Sequence, residues 1–390
     1  MSHRVAMLLS NAFRPDPRVL KEARSLAQAG YDLTVVAWDR EGTFAPQETV
    51  DGFTVLRVQN VRSRYGAGAR QLGRLPVFWR RAWAILNEIR PELVHCHDFD
   101  TLPPGWLWAK LHRRPVIYDA HEYYTELQRP RLRGLLGKVL LPAISIAEQL
   151  LSRTADAIVT VDERIARRYH NRRIAIIGHF PPVDFISPLA LNDKPQAGER
   201  VLVYAGRFST DRGMLMIGAA LQRLAQRGIR PRLRLLGTWT HPAEEQAFLQ
   251  SVAGIEDQVD AVGWVPFEQI AESLSSADIA LAVLQPIPRY VAALPVKLFE
   301  YMACGLPVVI SDFPAVRQVV AGSDCGILVD PVNVEAVSQA IEALIVDPDL
   351  AQRLGENGRT AFNTHYNWQV LEPLLFGIYA DLLGADVSKK

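Results

Sequence analysis

Residues Leu294–Asp312 read LPVKLFEYMACGLPVVISD, and this stretch decides the fold. Pro295 suits the first position of a helix, where its missing N–H costs nothing. Gly305 suits the residue just past a helix end, with Pro307 beyond it to prevent continuation. Between them Leu298, Phe299, Met302 and Ala303 recur at helical spacing, and Val308, Val309 and Ile310 read as a buried strand. The expectation is a short helix docked on a parallel sheet. Lys297 is the exception to the pattern, because a cation in the first helical turn opposes the macrodipole. An anion held at that N-terminus resolves the conflict, since free N–H groups and the lysine would share it. Glu300, one turn later, is placed to accept hydrogen bonds from whatever adjoins the anion. A sugar nucleotide offers both parts, a diphosphate and a ribose with two hydroxyls. A solvent-exposed Lys297–Glu300 pair is the alternative that these residues leave open.

Outward from this stretch, strands and helices alternate along the chain, the pattern of parallel sheets covered by helices on both faces. Strands are expected at Val5–Ser10, Leu33–Ala37, Phe53–Val58, Leu93–His97, Val116–Asp119, Ala157–Val161 and Ile174–Ile177. Around Ser187–Arg200 the sequence turns polar and aperiodic, as a linker does. The pattern restarts at Val201–Ala205 and continues through Leu233–Leu236, Ala261–Gly263, Ile279–Val283, Val308–Ile310 and Gly326–Val329. Beyond Pro348 it is helical to about Leu383.

With 390 residues the chain has room for two α/β domains. Its 49% hydrophobic and 22% charged residues are those of a soluble protein, and a net charge of +1 gives no general attraction to nucleic acid. Cys96, Cys304 and Cys325 are widely spaced within apolar runs, so buried thiols are expected rather than disulfides. The chain starts directly as a strand and no apolar run approaches about 18 residues. A cytoplasmic protein is expected.

The Leu294–Asp312 segment resembles the donor-binding helix of the retaining GT-B glycosyltransferases of family 4. There an E-x7-E pattern has a glutamate on the nucleotide ribose, and Glu300 matches its second glutamate. The first falls at Ala292, a departure shared by a branch of the family. The resemblance implies a GT-B fold, two Rossmann-like domains facing a cleft. It places the N-terminal acceptor domain at 1–185 and the sugar-nucleotide donor domain at 186–365. A C-terminal helix, 366–390, returns to the first domain. YAGRFSTDRG resembles the family's G-R-x4-K-G element, which implies that Arg207 and Arg212 hold the donor diphosphate. Arginine in place of lysine keeps the charge and adds a fork for two oxygens. Cations there stabilise the departing nucleoside diphosphate. The resemblance further implies donor contacts from Gly206, Gly237, Leu294, Val296 and Lys297, and from Gly263, Trp264 and Val265 around the nucleobase. The Trp264 side chain itself is expected to pack beneath that turn.

In the first domain His121 follows a strand, at the carboxyl end where open α/β sheets bind ligands. It resembles the family's active-site histidine. In the Asn11–Arg18 loop, Arg18 faces the acceptor by the same likeness, while Asp16 is expected to cap the following helix. His97 and Asp98 are expected to shape the acceptor side. His95-x-His97 and Asp98-x-Asp100 also invite a metal reading, yet only two ligands are evident and Arg207, Arg212 and Lys297 already supply cations. No metal and no cofactor are expected beyond the sugar-nucleotide substrate. The implied reaction is retaining, metal-independent glycosyl transfer to a glycan or lipid-linked acceptor. A non-catalytic sugar-nucleotide binder and a GT-B epimerase are the alternatives.

Two basic stretches in the first domain bear on the acceptor. Arg62–Arg81 holds six arginines and no acid, among Tyr65, Leu75, Val77, Phe78 and Trp79. Arg129–Lys138 holds three arginines and a lysine beside Leu132, Leu135 and Leu136. Such stretches suit an anionic membrane surface, whereas Phe78 and Trp79 packed in a core would mean an ordinary helix.

Overall fold

A computed structural model describes residues 2–14, 16–59, 61–63, 73–129, 132, 134–186 and 200–384. Most of the expected 187–200 linker, and Arg64, Arg70, Arg131 and Arg133 of the basic stretches, lie outside the described residues. The chain divides into two compact units, one of Met1–His179 with Leu371–Lys390 and the other of Phe180–Val370.

The first unit is built on β1 (Arg4–Leu9), β2 (Asp32–Trp38), β3 (Gln47–Val50), β4 (Phe53–Val58), β5 (Leu93–His97), β6 (Val116–Ala120), β7 (Ala157–Thr160) and β8 (Ile174–Ile176). They lie side by side as β3-β4-β2-β1-β5-β6-β7-β8. The pairings are parallel except at β3, which runs antiparallel to β4. That edge hairpin was not expected. Its signal is the Asp51-Gly52 dipeptide, whose positive φ angles of 45° and 88° suit a tight hairpin turn.

The second unit is built on β9 (Val201–Phe208), β10 (Arg232–Trp239), β11 (Val259–Gly263), β12 (Ile279–Ala282), β13 (Val308–Ser311) and β14 (Gly326–Val329). Their order is β11-β10-β9-β12-β13-β14, all parallel. Along β9, Val203 and Ala205 join the core on one face while Leu202, Tyr204 and Phe208 join that on the other. Strand alternation therefore buries both faces under helices. Both sheets reverse direction of growth beside their first strand, at β1/β5 and at β9/β12. A doubly wound sheet binds ligands outside the strand carboxyl ends at such a point. Those ends carry Asn11 and His97 in the first unit, Gly206 and Val283 in the second. Two doubly wound α/β units in series agree with the expected two-domain organisation.

The C-terminal helix Trp368–Leu383 contributes Tyr379 to the first unit. Its buried ring packs edge-on against Tyr31, and its hydroxyl lies 2.8 Å from His95 Nδ1. Cys96, Cys304 and Cys325 are free and buried. Among the described residues no helix is long and apolar enough to cross a membrane.

Candidate active site

The helix of the opening stretch spans Val296–Ala303. Pro295 is thus not its first residue, as expected, but the extended residue that precedes it, with φ −73° and ψ 129°. The far end follows the sequence. Gly305 has φ +66°, and the N–H groups of Gly305 and Leu306 donate to the carbonyls of Met302 and Tyr301, which closes the helix. Lys297 is buried and its Nζ lies 3.5 Å from the centroid of the Tyr204 ring. Nζ makes no hydrogen bond, and a Cβ built on Gly206 would stand 3.6 Å from it. Burial first, then the charge of Arg212, pulls the ammonium well below its usual pKa, and Glu300 offsets part of this. Glu300 is half-buried, and burial lifts its carboxyl to about 7 against the opposing pull of Lys297. The solvent-exposed pair is therefore excluded. A buried ammonium that meets only an aromatic face lacks the anion that would satisfy it.

Arg212 ends a short turn, Thr210–Arg212, closed by Gly213 at φ +85°. A Cβ on Gly213 would lie 1.8 Å from the Val283 carbonyl oxygen, so only glycine lets this turn seat against the end of β12. Gly237 works likewise: paired with Gly206 across β9 and β10, it has φ +150° and leaves a Cβ no room, 1.7 Å from the Gly206 oxygen. Arg207 is exposed at the end of β9, and Arg212 lies over the Tyr290 ring at 5.6 Å. The intervening Asp211 accepts from Arg289 at 2.6 Å and from the Tyr290 hydroxyl at 3.2 Å. Sequence reasoning passed over Asp211, Arg289 and Tyr290. Ala292 caps the Pro288–Val291 helix that carries the last two. Gly263, at φ +88°, ends β11. Trp264 does not pack beneath the turn, as expected, but is 63% exposed, and Leu294 and Val296 are exposed as well, while Val265 is partly buried against the core.

In the first unit the carboxyl ends of β5 and β6 bring several polar groups together. His121 is buried, with Nε2 3.2 Å from His97 Nδ1 and 3.7 Å from Asp119 Oδ2. Burial lowers its pKa to about 3 despite the nearby carboxylate, so the ring is neutral. Asp16 precedes the Pro17–Gln28 helix without capping it; its carboxylate takes two hydrogen bonds from Arg18, at 3.0 Å each, and one from Asn11. Burial raises the Asp16 pKa, but Arg18 overrides it and holds the group well below the usual range. The guanidinium competes better than backbone N–H groups because its hydrogen bonds are charge-assisted. Asp98 takes φ +62°, and burial raises its pKa although Arg18 opposes. Asp100 faces Arg40 at 4.0 Å. The expectation of only two metal ligands here needs correction, because Glu22 and Asp119 converge on His95 and His97.

The basic stretches also differ from expectation. Leu75, Phe78 and Leu132 are core residues, Phe78 stacked on Trp38 at 4.9 Å. Trp79 is part-buried, its indole N–H donating to the Asp100 carbonyl at 2.7 Å. Of the apolar residues in these stretches, Val77 and Leu135 are exposed, whereas Leu75, Phe78 and Leu132 are held by the core.

Two family models match the chain. The model described as Glycosyltransferase Family 4 matches residues 18–179, and that described as Glycosyl transferases group 1 matches residues 192–361. The chain belongs to the family 4, group 1 glycosyltransferases. A glycogen synthase of Mycobacterium tuberculosis is 23% identical, with 91% of this chain and 88% of the relative covered. A phosphatidyl-myo-inositol mannosyltransferase of Mycolicibacterium smegmatis is 22% identical over 95% of this chain and 90% of its own. Sucrose-phosphate synthase from Thermosynechococcus elongatus superposes with a TM-score of 0.79, at 19% identity, over 98% of this chain and all of that one (100%).

In this glycosyltransferase, Lys297 has a testable energetic signature. An unpaired buried ammonium opposes folding, whereas an apolar chain of like shape does not. Lys297→Met is expected to leave the stability of the unliganded protein unchanged or to raise it, by up to about 2 kcal/mol, in chemical denaturation. A loss above about 1 kcal/mol would show that the ammonium already has its partner within the fold.

Proposed function

We propose that this glycosyltransferase moves a hexosyl group from a nucleoside-diphosphate sugar to a glycan or lipid-linked acceptor, with retention and without a divalent cation on the diphosphate. The observation that carries this reading is the buried Lys297 Nζ, without a hydrogen bond, beside Gly206 at the end of β9. A diphosphate there would gain the ammonium, the free N–H groups of the Val296–Ala303 helix, and Arg207 and Arg212. These fixed charges do the work a metal does elsewhere: they stabilise the β-phosphate as the bond to the anomeric carbon breaks. Glu300 accepts from the ribose hydroxyls, and the turn at Gly263 and Val265 meets the base, with exposed Trp264 beside it. Among the described residues of the second unit no carboxylate stands out as a covalent nucleophile. The acceptor hydroxyl therefore attacks the anomeric carbon from the side of the leaving phosphate, whose oxygen takes its proton. His121, Arg18, His97 and Asp98 are the residues of the first unit that we assign to the acceptor and the transferred sugar. The names of the two relatives, one of a lipid mannosyltransferase and one of a glycogen synthase, support acceptors of these classes. Assembly of a polysaccharide or glycolipid in the cytoplasm is the role that follows.

The test is Arg212→Ala. With a donor found by thermal shift across a set of nucleoside-diphosphate sugars, turnover is expected to fall about 100-fold or more while the fold persists. Turnover of the wild type is expected to be the same with Mg²⁺, with Mn²⁺ or with neither added. A variant within a factor of two of wild type would remove Arg212 from the leaving-group site.

We further propose peripheral contact with an anionic membrane, through the Gly134–Thr154 helix. Its exposed Leu135, Val139, Ile146 and Leu150 fall within about 60° of one another at 100° per residue. Pro142 and Arg153 share that stripe and Lys138 flanks it, all exposed, whereas the helix's one acid, Glu148, is buried away from it. A basic rim around an apolar stripe suits a headgroup layer. Full-length protein is expected to sediment with vesicles of anionic lipid at low salt and not at high salt. Changing Leu135, Val139, Ile146 and Leu150 to serine is expected to abolish this. Wild type that stays in the supernatant at low salt would refute the contact.

A further inference from the structure

Four side chains that the sequence keeps apart meet inside the first unit: Glu22 from the Pro17–Gln28 helix, His95 and His97 from β5, and Asp119 from β6. One donor atom from each lies within 4.8 Å of the other three, and all four residues are at most 3% exposed. Glu22 Oε2, His95 Nε2, His97 Nε2 and both carboxylate oxygens of Asp119 make no hydrogen bond. A buried carboxylate without a hydrogen bond costs several kcal/mol unless a positive charge meets it. Protons on the imidazoles or on the Glu22 carboxyl, which burial pushes up to about 8, the neighbouring Lys21 ammonium and a bound cation are the sources of charge open to this cluster.

Protonation of both imidazoles is a poor source. The His95 and His97 rings stack with centroids 4.4 Å apart, so charging both places like charges face to face in a buried site. His95 Nδ1 is already engaged by the Tyr379 hydroxyl at 2.8 Å, and its Nε2 stands 3.6 Å from Asp119 Oδ2, beyond hydrogen-bond distance. With the hydroxyl as acceptor, the Nε2 lone pair faces the carboxylate. That is how an outer partner presents a metal-binding histidine. On His97 it is the other nitrogen, Nδ1, that lies 3.2 Å from Asp119 Oδ2, and this nitrogen is also 3.2 Å from His121 Nε2. Tetrahedral bonds of about 2.0–2.1 Å set neighbouring donors about 3.4 Å apart, so these separations already approach the edges of such a shell. The donor set balances as well, since two carboxylates neutralise a dication and two neutral imidazoles complete four-coordination. The nearby Lys21 ammonium donates to the Gly178 carbonyl at 3.2 Å.

We propose that Glu22, His95, His97 and Asp119 bind one divalent transition-metal ion of the zinc class. Imidazole nitrogen with carboxylate oxygen suits zinc, and a shell filled wholly by protein is that of a structural site. The ion pins the ends of β5 and β6 to the first helix and, through Tyr379, to the C-terminal helix. The cluster shares His97 with the residues assigned above to the acceptor, but no residue of the donor site belongs to it, so the inference stands whether or not the second unit binds a diphosphate.

The full-length protein is to be produced with and without added zinc, dialysed, and its metal measured by mass spectrometry. About one zinc per chain is expected, and the chelator-stripped protein is expected to rebind zinc with that stoichiometry in competition with a chromogenic chelator. Glu22→Gln and His95→Gln are each expected to weaken binding at least 100-fold, whereas exposed His365→Gln retains it. Cobalt(II) substitution gives a readout that needs no variant, since four-coordinate cobalt absorbs visible light far more strongly than six-coordinate cobalt. Under about 0.1 zinc per chain with no rebinding, unaltered binding in Glu22→Gln and His95→Gln, or a six-coordinate spectrum would each overturn the proposal.

Discussion

Everything at the candidate donor site turns on one desolvated charge. Lys297 sits in the first turn of a helix whose dipole already disfavours it, under cover that removes water, with the Tyr204 ring against it and no hydrogen-bond partner. Glycine at 206 and 237 lets strand backbone come close, and Gly213 seats the Arg212 turn against β12. Each of these features costs the unliganded fold something. Together they place cationic groups and free N–H groups near the carboxyl end of one strand. On the proposed function, a bound anion would offset that cost.

The two units use the same device for different chemistry. Each sheet grows outward in both directions from its first strand, which leaves a crevice at the carboxyl ends that no crossover helix covers. In the second unit that crevice is lined by glycines and cations. In the first it is lined by imidazoles and carboxylates, with Arg18 locked onto Asp16. On the proposed function this crevice takes a neutral hydroxyl acceptor, which has little use for spare positive charge. The neutral His121 ring and the paired Arg18 fit that requirement.

What could be read from sequence was what is local. Helical spacing and Gly305 place the Val296–Ala303 helix, and the apolar run Val201–Ala205 places β9. The G-R turn and its later arginine mark a cationic end of a strand. What could not be read depends on residues distant in sequence. Asp16 looks like a cap until Arg18 and Asn11 claim its oxygens. Trp264 and Phe78 are both aromatic residues beside turns or basic runs, yet one is 63% exposed and the other fully buried. Only the packing of neighbouring strands and helices separates them. The convergence of Glu22 and Asp119 on the His95–His97 pair crosses three elements, and no spacing rule reports it. The β3 hairpin was legible in Asp51-Gly52 and was passed over because parallel strands dominate the rest.

The central claim is that Lys297 and Glu300 serve a nucleoside diphosphate, and calorimetric titration of that ligand is its most direct measurement. The carboxylate form of Glu300 accepts the ribose hydroxyls, and its pKa stands near 7 in the free protein. Affinity of the wild type is therefore expected to rise from pH 6 to pH 8 more steeply than that of Glu300→Gln. At pH 8, Glu300→Ala is expected to bind more weakly by about 1.5–3 kcal/mol with its fold intact. Equal affinities for wild type and Glu300→Ala at pH 8, with the same pH dependence in Glu300→Gln, would contradict the account.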